Sequence, residues 1–220
     1  MKHHVLVVLL GFGFCSTIDV LAQTTGSGDL ALPSLMPRDR EIALARSAAP
    51  SAVSAEARVL ILRRGGYLVA DSGGNGVTCY VGRSWSQAIE PHCYDEEGSR
   101  TILPMALRRA ELKEQGRSHE EIEADLAAGL QSGRFQLPTR PAMSYMMSSA
   151  QSLISDDGTP VGQWKPHLMV YYPYLTAAAL GLGEVPSLDA AVVVDPGRPT
   201  ANILIVVADF VDPVFESKEH

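Results

Sequence analysis

Cys79 and Cys93 stand fourteen positions apart, and the chain's third cysteine, Cys15, lies near its amino terminus. Whether the pair forms a covalent staple depends on the compartment the chain reaches. The first residues bear on that. Met1 to His4 make a short basic start, and Val5 to Phe14 follow as an uncharged apolar run, VLVVLLGFGF. This is the layout of an export leader. The run is about half of the roughly 20 residues a helix needs to cross a bilayer, and Asp19 soon follows, so a permanent anchor is not expected. A small-residue cleavage site fits at Val20-Leu21-Ala22. That makes residues 1–22 a signal peptide cleaved after Ala22, and places the mature protein in the periplasm or outside the cell. Cys15 follows the bulky Phe14, which argues against a lipid-modified processing site, so Cys15 leaves with the leader.

In an oxidising compartment the two remaining cysteines are most simply a disulfide. Closing a loop of that size removes on the order of 3 kcal/mol of unfolded-state entropy. A metal site built on the pair with His92 would need reduced thiolates and a further ligand, and the sequence offers neither, so no metal or cofactor is expected. Removing the leader takes away Lys2 and Asp19, so 18 cations against 25 anions become 17 against 24 and the net charge stays at -7. Nucleic-acid binding is not expected of so acidic a chain, because neutralising phosphates requires clustered Lys and Arg. The length left is enough for one sizeable core, expected over 34–215 behind a flexible lead-in at 23–33.

Along that domain, RDREIALARSAAP between Pro37 and Pro50 reads as a short docked helix whose Ile42, Ala45 and Ala49 share a face. ARVLIL, GYLVAD and GVTCYVGR are three β-rich runs separated by turn residues, which predicts an antiparallel meander with Val77, Cys79 and Val81 facing the core. The stretch SWSQAIEPHCYDEEGS after them has no periodicity and reads as a loop tied back by Cys93.

Segments such as GGNGVTCYVGRSW, IEPHCYDEEGSRTILP and WKPHLMVYYPY resemble a group of exported bacterial proteins with no known function. The likeness covers most of the mature chain. It implies a self-contained domain type and carries over no activity, cofactor or catalytic residue.

Pro104 begins a helical pattern that Gly116 ends, and Ser118-His119-Glu120-Glu121 has capping-box spacing ahead of Ile122, Leu126 and Leu130. The two make a helical hairpin. Its anionic faces and the expected export speak against a DNA-reading motif. HLMVYY, AAVVV and ANILIVVA are apolar on both faces and read as central strands covered on two sides. The sum is an α+β fold with a mostly antiparallel sheet of about six strands and the hairpin inserted.

Of the histidines left after processing, His119 and His220 read as solvated, and His167 is the strongest candidate. It lies where the loop Trp164-Lys165-Pro166 feeds a strand, so a pocket lined by His167, Trp164, Tyr171 and Tyr145 is the expected binding site. The competing reading is a histidine that only orients the loop through a backbone carbonyl. Met143, Met146, Met147 and Met169 suit soft-metal ligation in type, but Met146 only partly shares the helical face of Met143 and Met147, and core filling explains them. Asp71-Ser72-Gly73-Gly74-Asn75-Gly76 joins two strands and opens no helix, so it reads as a turn and not a phosphate cradle. Asp95-Glu96-Glu97-Gly98 and Asp156-Asp157-Gly158 read as solvated acidic turns. No nucleophile, metal set or carboxylate pair declares itself. The expectation is therefore a non-catalytic protein that binds a small molecule or an envelope component, with a hydrolase using His167 and a nearby carboxylate as the alternative.

Overall fold

The structure, a computed structural model, describes residues 35–83, 88–154, 159–182 and 191–215. The expected leader and its cleavage site, the lead-in at 23–33, Cys15, Asp156-Asp157-Gly158 and His220 lie outside the described residues.

In chain order the elements are helix α1 (Arg38–Arg46), the one-turn α2 (Ser51–Ser54), strands β1 (Arg58–Arg63), β2 (Gly66–Asp71), β3 (Thr78–Gly82) and β4 (Glu90–Tyr94), and helices α3 (Glu96–Glu114) and α4 (His119–Gln131). Then come β5 (Ala142–Met146), β6 (Leu153–Ile154), β7 (Pro160–Gly162), β8 (His167–Tyr171), β9 (Val192–Val194) and β10 (Asn202–Val206). Eight strands form one sheet in the order β2-β1-β3-β4-β5-β8-β10-β9, and β6 with β7 forms a separate ribbon. The fold is α+β, but its sheet is mixed and has eight strands where about six, mostly antiparallel, were expected. Every neighbouring pair is antiparallel except β1 with β3.

That one parallel pair replaces the expected meander, and the glycine turn explains it. Gly74 and Asn75 donate their amides to the Glu56 carbonyl, which holds the turn against the residues leading into β1. Gly73 has φ +63°, and a Cβ there would sit 2.2 Å from the Arg58 nitrogen, so only glycine fits. The chain thus passes the start of β1 and emerges on its far side as β3, where the Arg58 amide donates to the Val77 carbonyl. β3 is buried along its whole length, as its composition, TCYVG, allows.

The stretch read as an aperiodic loop contains β4. It pairs with β3 through five residue pairs, Cys79 opposite Cys93 among them. Pro91 is tolerated inside it because β5 pairs with β4 only at Cys93 and Tyr94, so no partner calls for an amide at position 91. α3 likewise begins eight residues before the expected Pro104. Asp95 caps it by accepting from the Gly98 amide at 2.7 Å, and Glu96 and Glu97 suit the positive end of a helix. Pro104 then stands inside the helix and denies the Arg100 carbonyl its usual amide donor. The capping box of α4 forms as expected: Ser118 Oγ accepts from the Glu121 amide, and Glu121 Oε2 accepts from the Ser118 amide.

The two sheet faces carry separate cores. On one, α1 packs over β1, β3 and β4 around Val59, Ile61, Cys79, Val81 and Cys93. On the other, α3 lies over β3, β4 and β5, and apolar residues of α3 and α4 close over Leu60, Tyr80, Tyr94 and Tyr171. Met143 and Met146 lie on β5, a strand and not a helix, so they project to opposite faces. The expectation that the last strands are covered on two sides is corrected too: Leu168, Val170 and Ile203 are only half-buried, and Ile205 is 40% exposed. The helices stop short of that end of the sheet.

Candidate functional site

Strand register decides which of the expected site residues meet. Met146 pairs with His167 and Tyr145 with Leu168, so His167 and Tyr145 project to opposite faces of the sheet. Tyr145 lies on the face of the disulfide, opposite Cys93. Tyr171 shares the face of His167 but is four residues further along, about 13 Å at strand rise. Trp164 does meet His167, with ring centroids 6.1 Å apart, and is half exposed.

His167 itself is 3% exposed, and its Nδ1 lies 2.8 Å from the Lys165 carbonyl. A carbonyl only accepts, so Nδ1 carries a proton and donates it to Lys165. Burial pushes its pKa down, and the hydrogen bond to Lys165 opposes that. Among the described residues no carboxylate or hydroxyl is hydrogen-bonded to it. This is the geometry of a histidine that orients the loop before β8.

A second imidazole, His92, which the sequence suggested only as a metal ligand beside the cysteine pair, sits on the same face. His92 of β4 stacks within 8° of parallel on Tyr94 at 5.8 Å and lies 5.6 Å from Tyr80. These rings belong to a row that runs Tyr67, Tyr80, Tyr94, Tyr171 across the sheet, each 5.4 to 6.3 Å from the next. Burial raises the pKa of all four phenols. His92 Nδ1 has no hydrogen-bond partner among the described residues, and burial, then the neighbouring His167, lowers its pKa to about 3. The folded protein therefore holds His92 neutral where the unfolded chain would protonate it. Stability is whole above pH 6.5 and falls as pH drops from 6.5 toward 3, by up to about 1.4 kcal/mol per pH unit. Urea unfolding at pH 7, 6, 5 and 4 measures this, and His92→Phe, which keeps the ring stack, is expected to flatten the slope; an equal slope in the variant would refute the assignment.

Among the described residues, a cleft opens elsewhere on this face. Its volume is about 600 Å³, and it lies between the amino-terminal half of α3 and the starts of β1 and β3. Glu96, Ser99, Arg100, Leu103 and Leu107 line it at intervals of three and four, which is one face of a helix. Leu60 and Thr78 from the strands form its floor, and the turn from Ser72 to Gly76 forms a rim. A Cβ on Gly76 would come within 3.2 Å of the Glu96 side chain, so the turn closes one end of the cleft against α3. The Gly-rich segment is the turn that its sequence suggests. Its place in the cleft is what the sequence did not show.

The charges around the cleft are mostly engaged. Arg100 donates two hydrogen bonds to Glu97, at 2.8 and 2.9 Å, and one to Gln136 at 2.6 Å. Glu97 also accepts from the Thr139 amide, and these partners, Arg100 first, hold its carboxyl down at about 2. Glu96 pairs with Arg140 at 3.1 Å. Arg58, exposed at the cleft, makes no ion pair among the described residues.

Among the described residues no three His, Cys, Asp or Glu side chains gather as a metal site, and no helix is long and apolar enough to cross a membrane. No protein-family model, no curated protein and no solved structure matches the chain.

Proposed function

We propose that this is an exported, non-catalytic binding protein whose ligand is a small molecule held between α3 and the glycine turn. One observation carries the reading: the cleft has the volume of a ligand pocket, within the range of about 300–1,000 Å³, and its lining sets apolar side chains beside polar and charged ones in about equal measure. Export is supported by the leader-like start and by the bond between Cys79 and Cys93, which suits an oxidising compartment. Membership of the group of exported bacterial proteins that the sequence resembles belongs to the same proposal. A hydrolase built on His167 would need an acid and a hydroxyl at that ring, where the described partner is a backbone carbonyl.

The neutral fluorophore N-phenyl-1-naphthylamine tests the reading. Titration into the folded, oxidised protein is expected to saturate at one equivalent. Leu107→Trp, which fills the cleft, is expected to weaken binding about tenfold or more, and Trp164→Ala to leave it unchanged. Absence of saturable binding, or loss with Trp164→Ala but not with Leu107→Trp, would overturn it.

A further inference from the structure

Resting on the cleft as the binding site, we infer that its ligand is an anionic amphiphile, one carboxylate-like head group on an apolar body, and that Arg58 selects it. The apolar body follows from one part of the lining: Pro104 and Leu107 are partly exposed there, with Leu60 and Leu103 of the core behind them. The head group follows from the charges. Each carboxylate beside the cleft is already engaged: Asp95 caps the Gly98 amide, Glu96 holds Arg140, and Glu97 holds Arg100. Arg100 is tied to that same Glu97 and to Gln136. Arg58 alone among the charged residues lining the cleft has no such partner among the described residues, and the lining itself, Arg58 and Arg100 against Glu96, carries one positive charge in excess.

A guanidinium presents a planar fork that matches a carboxylate in two parallel hydrogen bonds, and beside an apolar wall that attraction is screened less than on open surface. The chain as a whole is strongly acidic at -7, so its overall field does not gather anions. Selection for an anion has to be local. Arg58 has the means for it because β1 projects it to the same face as Leu60, two residues on, so head-group and tail contacts lie within one ligand's reach. A cationic ligand would meet an unpaired like charge at the mouth, and a neutral one would leave the guanidinium unused.

Displacement of bound N-phenyl-1-naphthylamine by two ligands of equal chain length, decanoate and decan-1-ol, tests this in the oxidised full-length mature protein at pH 8. Decanoate is expected to displace the probe at a concentration about tenfold or more below that of decanol. Arg58→Gln is expected to bring the decanoate and decanol displacement midpoints together, each scaled to the probe affinity of that variant. Arg58→Lys is expected to recover part of the preference, since a point charge replaces the fork. Arg58 is exposed, so these variants should unfold at the temperature of the parent protein, which thermal melts check. Equal displacement by the two ligands, or a preference that survives Arg58→Gln, overturns the role of Arg58 while the cleft stands. Probe fluorescence that responds to neither ligand nor to Leu107→Trp overturns both the cleft and the inference.

Discussion

Replacing Glu41 by alanine is expected to destabilise the protein by about 3–5 kcal/mol, a larger loss than any surface change would bring. Glu41 lies on α1 with its side chain fully buried. Its Oε1 accepts from the Leu62 amide at 2.9 Å and from Arg83 Nη2 at 3.4 Å, and its Oε2 accepts from Arg63 Nη1 at 3.0 Å. One carboxylate thus joins α1 to β1 and neutralises a guanidinium that is itself 3% exposed. Arg63 is partly exposed and can turn to water when its partner goes; Arg83 cannot, and its Nη1 has no partner among the described residues. The loss would therefore come mainly from a buried cation left uncompensated, not from the ion pairs as such. That distinction is measurable. In urea unfolding, Arg83→Met added to Glu41→Leu should recover much of the stability lost in Glu41→Leu alone, because the buried charge goes with its counter-ion. A loss below 1 kcal/mol for Glu41→Ala, or strict additivity of the pair, would remove this cluster from the account.

Glu41 also shows where sequence reading stopped. A face of Ile42, Ala45 and Ala49 was legible in the spacing of α1, and Ala45 and Ala49 are indeed buried, but Ile42 is only half-buried while the charged neighbour is inside. Nothing local marks a glutamate for burial; its partners arrive from β1 and from the end of β3. Features set within one segment read well: β1, β2 and β10 from their β-branched and apolar runs, the capping box of α4, and the Cys79–Cys93 bond from its even pair. β4 did not, because EPHCY is a strand through its pairing with β3 and β5 and has no alternation of its own. The start of α3 was hidden for a related reason, since Asp95-Glu96-Glu97 is equally a solvated turn and a capped helix end. Of the four residues expected to form a pocket, the two separated by only three positions, Trp164 and His167, do meet. The cleft was not legible at all: its walls come from residues 58–60, 72–78 and 96–107, and only the parallel crossover from β1 to β3 brings them together.

The same dependence of β4 on its neighbours sets the last expected result, the removal of the disulfide. Cys79 and Cys93 face one another across β3 and β4, both fully buried beneath α1. A double change to alanine, which leaves no polar group behind, is expected to cost about 3 kcal/mol through the freed unfolded chain. For a domain of this size that lowers the melting temperature by roughly 6–12 °C. Because both sulfurs are shielded, a reductant should act on the folded protein only as fast as the region opens, so mild reduction at 25 °C is expected to leave the bond intact for far longer than in urea. The loss should also be uneven. β10 is held by β8 and β9 independently of the bond, whereas β4 has lost its covalent tie and retains only its ladders. Amide exchange should therefore accelerate more at residues 90–94 than at residues 202–206. Asp95, which directly follows β4, caps α3, so loosening there propagates to the helix that walls the cleft. Probe binding in the alanine pair is accordingly expected to weaken even at temperatures where the fold persists. Uniform acceleration across both strands, or unchanged binding, would mean that the staple acts on the unfolded chain alone and has no part in shaping the site.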